Sequence, residues 1–147
     1  MAGMFVGSKV PAKPAVAASA AAATVSMPDE FKQEPIDSWQ LGNHTWNFLH
    51  TMAANYPQNP SEETKQEMKS FISSFAKFYP CEPCAEDFRE WIKTNAPKVE
   101  NRNALSFWFC DAHNAVNDKL GKPTFDCKYW MARWKDGWED FKKASRE

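Results

Sequence analysis

Met68-Lys69-Ser70-Phe71-Ile72-Ser73-Ser74-Phe75-Ala76-Lys77-Phe78-Tyr79-Pro80-Cys81-Glu82-Pro83-Cys84, residues 68–84, is the stretch that decides the fold. Met68, Phe71, Ile72, Phe75 and Phe78 recur at three- and four-residue spacing, which lines one face of a helix. Ser61 after Pro60 is a good N-cap for that helix, Glu62 and Glu63 suit its first turn, and Pro80 ends it. A further helix starts at once, around Glu82, and buries Cys84, Phe88, Trp91 and Ile92 before Pro97. The pair Cys81 and Cys84 therefore falls at the junction of two helices.

Helical patterning extends in both directions. From residue 36, Trp39, Trp46, Leu49 and Ala53 form an apolar face that stops at Tyr56-Pro57. Another helix starts near Asn103, shows Leu105, Trp108, Ala112, Val116 and Leu120, and stops at Gly121-Lys122-Pro123. A short fifth helix with Trp130, Trp134 and Trp138 follows Cys127, and no segment of note carries strand periodicity. The fold expected is all-α, a four-helix bundle plus a short fifth helix. With seven Trp and eleven Phe in 147 residues, aromatic packing must dominate its interior.

Residues 1–35 differ in composition. Val10 to Met27 is rich in Ala, with Pro11 and Pro14 and few bulky apolar residues, so a flexible tail is expected over 1–35 and a folded domain over 36–147. The tail's weakly hydrophobic Ala stretch and the lack of a basic cluster in its first residues argue against a secretory signal. Lys9 and Lys13 without any Arg argue against a standard matrix presequence, a weak organelle-targeting role being the alternative to a plain linker. A net charge of −1 without a Lys/Arg run excludes general attraction to nucleic acid, and no window reaches the length of a membrane span.

The four cysteines are Cys81, Cys84, Cys110 and Cys127. Ala85, directly after Cys84, excludes covalent haem attachment, leaving redox chemistry or metal binding for the Cys-x2-Cys. A thioredoxin-like setting needs strands, and sixteen residues between Cys110 and Cys127 is not the second half of a zinc ribbon. At a helix start, free N–H groups and the helix dipole lower a thiol pKa below its usual value of about 8.5, and Pro83 is tolerated in the first turn. The bland alternative for this pair is an inert staple. Cys110 and Cys127 suit a structural bridge contributing on the order of 3 kcal/mol, or else are two free thiols in the core.

Cys110, His113, Asn114 and Asn117 stand at i, i+3, i+4 and i+7 on the fourth helix, a polar stripe able to hydrogen-bond a buried heterocycle, or a solvated face. Lys119 and Lys122 lie where a phosphate could be met beyond it. His50 reads equally well as a core histidine, and His44 has no support beyond its place near Trp46.

Taken together, the chain resembles the Erv/ALR family of FAD-linked sulfhydryl oxidases. The resemblance is carried by Leu41-Gly42-Asn43-His44-Thr45-Trp46, Leu49-His50-Thr51-Met52-Ala53-Ala54-Asn55-Tyr56-Pro57, Phe78-Tyr79-Pro80-Cys81-Glu82-Pro83-Cys84-Ala85-Glu86-Asp87, Cys110-Asp111-Ala112-His113-Asn114-Ala115-Val116-Asn117 and Lys119-Leu120-Gly121-Lys122-Pro123-Thr124-Phe125-Asp126-Cys127. It covers residues 38–138. It implies a helical bundle holding FAD at its mouth, a cofactor that five glycines and the lack of a Gly-x-Gly-x-x-Gly fingerprint would not suggest. Gly42, Trp46, His50, Cys110, His113, Asn114, Asn117, Lys119, Lys122, Arg133 and Trp134 would line the FAD site, with Cys110 bonded to Cys127. Cys81 and Cys84 would be catalytic, and no metal is expected. Substrate would attack Cys81, the more exposed of the pair, and Cys84 would be the flavin-proximal thiolate.

The resemblance further implies disulfide formation in a thiol-containing protein substrate or disulfide carrier, with dioxygen or cytochrome c as electron acceptor. It implies a homodimer and the mitochondrial intermembrane space, cytosolic and secretory-pathway members also being known. Two departures stand out. The sequence has no cysteine before Cys81 or after Cys127, so a relaying tail pair and an intersubunit disulfide are not expected, and a dimer would be noncovalent. Asn43 stands where close relatives often have Arg. The rival reading is a noncatalytic helical module whose cysteines hold zinc or two structural bridges.

Overall fold

The computed structural model describes residues 26–144 and 146. The chain divides into two units, Met1–Glu34 and Pro35–Glu147. In the described part of the first, a 3-10 turn at Asp29–Phe31 is closed by the Phe31 amide donating to the Pro28 carbonyl at 3.0 Å. The expected tail over 1–35 lies, up to residue 25, outside the described residues.

The second unit is helical, with no strand among the described residues. It contains α1 (Ser38–Ala54), α2 (Glu62–Phe78), α3 (Glu82–Thr94), α4 (Arg102–Lys119), α5 (Trp130–Trp134) and α6 (Trp138–Ala144). The helices start where side chains can satisfy their free amides. Asp37 and Gln40 form a reciprocal capping box on α1, Ser61 accepts from the Thr64 amide at 3.1 Å, and Asn101 accepts from the Ala104 amide at 2.8 Å. Pro80 stops α2 as expected, Tyr79 before it being extended at φ −59°, ψ 124°.

α1 packs chiefly on α4, and α2 on α3, while α5 lies against both α1 and α4. The shared core is Leu49, Ala53, Tyr56, Ile72, Leu105, Trp108 and Phe109 with Val99 from the α3–α4 connection. Its polar atoms are satisfied locally. The Trp108 indole N–H donates to the Asn95 carbonyl at 3.0 Å, the Tyr56 hydroxyl to the Val99 carbonyl at 3.0 Å, and Arg102 Nε to the Tyr56 carbonyl at 2.6 Å. Trp108 also meets the rings of Phe88, Trp91 and Phe109, so aromatic packing does dominate the interior.

The structure refines the sequence reading in two places. The short fifth helix is two helices, because the amides of Lys135 and Asp136 both turn back to the Met131 carbonyl and Gly137 takes φ +83°. A left-handed residue ends a helix, and glycine adopts it without steric cost. Phe78 and Leu120, assigned to buried faces by their spacing, are 73% and 55% exposed. Phe78 is the last residue of α2, and Leu120, the cap just past α4, lines a cavity instead of the core. Among the described residues no helix is long and apolar enough to cross a membrane.

Candidate functional site

Cys81 and Cys84 form a disulfide at the start of α3, with their Cα atoms 5.3 Å apart. Cys81 is the N-cap, Pro83 lies in the first turn where no amide donor is needed, and the Ala85 amide closes that turn on the Cys81 carbonyl at 2.8 Å. Arg89, two turns on, donates to the Ala76 carbonyl at 3.0 Å and to the Glu82 carboxylate at 2.7 Å. It thereby ties the Cys-x2-Cys segment to the end of α2. Opening the disulfide releases thiolates where the helix dipole favours them.

The relative exposure of the pair is the reverse of the sequence expectation. Cys84 is exposed rather than buried, and Cys81 is half-buried. Cys84 stands in the wall of a cavity of about 260 Å³. α1 contributes Trp39, Gly42 and Trp46 to that cavity, α3 contributes Ala85 and Phe88 beside Cys84, and α4 contributes His113, Val116 and Asn117. Lys122 also lines it. The walls are mainly apolar and aromatic, with a few polar groups between, the form of a site for a flat heterocycle.

Behind the cavity runs a column of four rings. Trp46 stacks on His113 with centroids 4.2 Å apart and planes 4° from parallel, His113 on His50 at 5.1 Å, and His50 on Trp134 at 3.9 Å. His50 Nε2 and His113 Nδ1 lie 2.8 Å apart, so one imidazole donates and the other accepts. Burial, then the charges of His113 and Arg133, push the His50 pKa down to about 3. Burial, then the nearby Lys122 ammonium, lower His113 to about 4. Both rings are neutral at physiological pH.

A pH dependence of stability follows. Both folded-state values lie below the ordinary 6.5, so the unfolded chain takes up protons first as pH falls. The stabilisation is complete above about pH 6.5 and is lost below it, down towards pH 4 and then 3. His50, 3% exposed, is expected to contribute up to about 1.4 kcal/mol per pH unit, and half-buried His113 less, because water screens it. Urea denaturation between pH 7 and 4 measures this. His50→Phe, which keeps a ring in the stack, should flatten the profile; an unchanged slope would contradict a buried neutral imidazole.

Of the residues singled out in the sequence, Gly42, Trp46, Cys84, His113, Asn117 and Lys122 line the cavity. His50 and Trp134 stand behind it in the ring column, and the Trp134 indole N–H is buried without a partner. Arg133 lies over the Trp134 ring, its guanidinium 5.2 Å from the centroid. Lys119 is paired with Asp87. Asn114 is committed elsewhere: its amide nitrogen donates to the Phe125 carbonyl at 2.8 Å, and its oxygen accepts from the Phe125 amide at 2.8 Å. Cys110, fully buried, is bonded to Cys127 across 5.8 Å between Cα atoms.

The polar stripe of α4 thus separates into two rows. His113 and Asn117 face the cavity, while Cys110 and Asn114 fasten the segment from Phe125 to Cys127. The sequence reading passed over Trp39, Phe75, Tyr79 and Val116 as lining residues, while Asn43, noted there as a departure from close relatives, also lines the cavity. Trp39 was within reach, since Trp39, Gly42 and Trp46 fall at i, i+3 and i+7 on one helix face.

Residues 43–135 match the model of the Erv1 / Alr family. The chain is 51% identical over 109 residues to the mitochondrial FAD-linked sulfhydryl oxidase ERV1 of Saccharomyces cerevisiae, a match covering 74% of this chain and 58% of that protein. It is 49% identical over 114 residues to the mitochondrial FAD-linked sulfhydryl oxidase erv1 of Schizosaccharomyces pombe, covering 75% and 62%. It is 39% identical over 100 residues to the FAD-linked sulfhydryl oxidase ERV1 of Arabidopsis thaliana, covering 68% and 52%. The chain therefore spans between half and two thirds of the length of these relatives. Among solved structures it is similar to the yeast Erv1 core, with a TM-score of 0.75 and 48% identity over 79% of this chain and 98% of that one. It is also similar to the FAD binding domain of Erv1 from Saccharomyces cerevisiae, with a TM-score of 0.68 and 52% identity over 71% and 99%.

Proposed function

We propose, from the premise that this chain belongs to the Erv1 / Alr family, that it is an FAD-dependent thiol oxidase forming disulfides in protein substrates. The observation that carries the reading is a disulfide at a helix N-terminus with one cysteine, Cys84, in the wall of an aromatic cavity. We assign the oxidase unit to residues 36–147 and a tail to residues 1–35. A rival reading, a helical module with inert bridges or zinc, gives the cavity and its cysteine no role.

The residues present fit a flavin. The cavity of about 260 Å³ is smaller than the roughly 300–1,000 Å³ of sites for whole drug-sized ligands. It suits the ring system of such a cofactor, leaving the remainder of the dinucleotide to residues at the rim. Gly42, Trp46, His113, Asn117 and Lys122 would hold the group directly, with His50, Cys110, Asn114 and Trp134 behind them. Lys119 and Arg133 complete the assignment as further cations for its phosphates. Bound there, FAD would supply a two-electron sink for the reduced Cys81–Cys84 pair, with dioxygen, giving hydrogen peroxide, or cytochrome c as the final acceptor.

The protein's own part is thiol exchange and placement. A substrate thiolate attacks Cys81 Sγ, the sulfur of the pair that does not line the cavity; the Cys81–Cys84 bond breaks and a mixed disulfide forms. The second substrate thiolate attacks the substrate sulfur of that bond, releasing an oxidised substrate and leaving two enzyme thiols. The α3 N-terminus stabilises the thiolate of Cys84, the leaving group of the first step. Phe88 and Ala85 supply apolar wall to the same cavity, and the neutral His50–His113 pair places no competing charge there.

We assign the mitochondrion, and within it the intermembrane space, as the compartment, by analogy with the mitochondrial relatives. All four cysteines lie in intrachain bridges, so the homodimer we propose is noncovalent. Exposed Phe48 and Phe78 offer apolar surface for it. The purified protein should carry a flavin absorption spectrum and consume dioxygen on addition of dithiothreitol. A colourless protein that takes up no added FAD would sink the reading.

A further inference from the structure

Trp39 occupies the first turn of α1 and is 56% exposed, a large indole with no core to fill. It stands at the edge of the cavity. Across from it, Gly121 at φ +69° turns the chain out of α4, and the Lys122 amide is anchored to the Asn117 carbonyl at 2.8 Å. That turn brings the Lys122 ammonium to 3.6 Å from the centre of the Trp39 ring.

The placement is informative because of what Lys122 lacks. Lys119, one turn earlier, is ion-paired with Asp87, whereas among the described residues Lys122 makes no ion pair with a carboxylate. An aromatic face holds a cation without cancelling its charge. The charge acts inward as well, since it contributes to the lowered pKa of His113 in the cavity wall. The result is an uncompensated cation fixed at the rim of an aromatic, uncharged chamber. Such a rim suits a ligand that inserts a flat ring and leaves an anionic group outside.

We propose that Trp39 is a positioning residue of the cofactor site: its indole holds the Lys122 ammonium across the cavity rim, where it meets the anionic part of the bound cofactor and slows release. The proposal rests on the FAD reading above and adds a residue that the family resemblance did not supply.

The test is the rate at which the FAD-loaded protein releases flavin, followed as free flavin fluorescence after dilution. Trp39→Leu and Lys122→Met should each release FAD faster, with about two- to fivefold of the change attributable to the cation–ring contact. In the Lys122→Met background, Trp39→Leu should add little, and Trp39→Phe, which keeps a ring, should fall between wild type and Trp39→Leu. The effect of Trp39→Leu should shrink at high salt, because salt screens the half-buried Lys122 charge from the anionic group it meets. Melting temperatures of the flavin-free variants should match wild type, which separates positioning from a structural role. Independent, multiplicative effects of the two substitutions would overturn the proposal. A wild-type protein that holds FAD, with Trp39→Leu releasing it at the same rate, would overturn this proposal alone; a wild-type protein that holds none would overturn the oxidase reading with it.

Discussion

Cys84→Ser should leave a folded, flavin-loaded protein that no longer oxidises dithiothreitol. Turnover is expected to fall by about 10³-fold or more, the scale seen when a reacting nucleophile is removed from a site that is otherwise intact. Serine cannot share a disulfide with Cys81, and its hydroxyl is not ionised near neutral pH. The cavity wall then holds no sulfur, because Cys84 is the cysteine lining it. Cys81, the helix N-cap, would be left as a lone thiol able to form mixed disulfides and unable to resolve them through its neighbour. Two readouts separate the causes of a loss. Retained flavin absorbance that dithiothreitol does not bleach places the defect in electron transfer, and absorbance lost on purification places it in cofactor binding. Survival of oxygen consumption in Cys84→Ser would show that the cavity-side cysteine has been misassigned.

Removing the second bridge should have the largest effect on stability. Cys110 and Cys127 are 17 positions apart and join the fully buried middle of α4 to the 3-10 turn that leads into α5. Replacing both with Ala is expected to cost about 3 kcal/mol through the freedom returned to the unfolded chain. For a unit of this size that lowers the melting temperature by roughly 10–20 °C. The Asn114 clamp on Phe125 and the 3.1 Å bond from the Trp130 indole to Asn103 remain, so the unit should still fold. α5 would be held less firmly, and with it Trp134, the outer ring of the column on His50. Flavin should therefore be lost at a lower temperature than in wild type. Calorimetry of the two proteins measures both effects, and an unchanged melting temperature would mean that the bridge constrains nothing the rest of the fold does not already hold.

The helices were legible because their signals are local. Ser61 and Pro80 bracket α2 by rules that act within a turn of the chain, and the face of Met68, Phe71, Ile72 and Phe75 needs only a period of 3.6. The same period misled at helix ends. Phe78 and Leu120 keep the spacing of a buried face, but they stand at the ends of their helices and are exposed, Leu120 in the wall of the cavity. The break at Gly137 was hidden for a related reason: Trp130, Trp134 and Trp138 keep four-residue spacing through it, and only the backbone conformation separates α5 from α6.

The site was legible in part. The sequence alone placed a reactive Cys-x2-Cys at a helix start and set Cys110, His113, Asn114 and Asn117 on one helix, because both statements depend on spacing within a few residues. The family resemblance, carried by whole motifs, supplied the flavin. The tertiary structure decided which members of the stripe face the cavity and which are spent on holding it. Asn114 is taken up by the backbone of Phe125, eleven residues away, and Trp39 meets Lys122 across more than eighty. It also decided that Cys84 opens towards the cavity while Cys81 is half-buried. Helix periodicity fixes the direction of a side chain relative to its own axis, but its partner is set by how the helices pack and where the chain turns back, which no local spacing encodes.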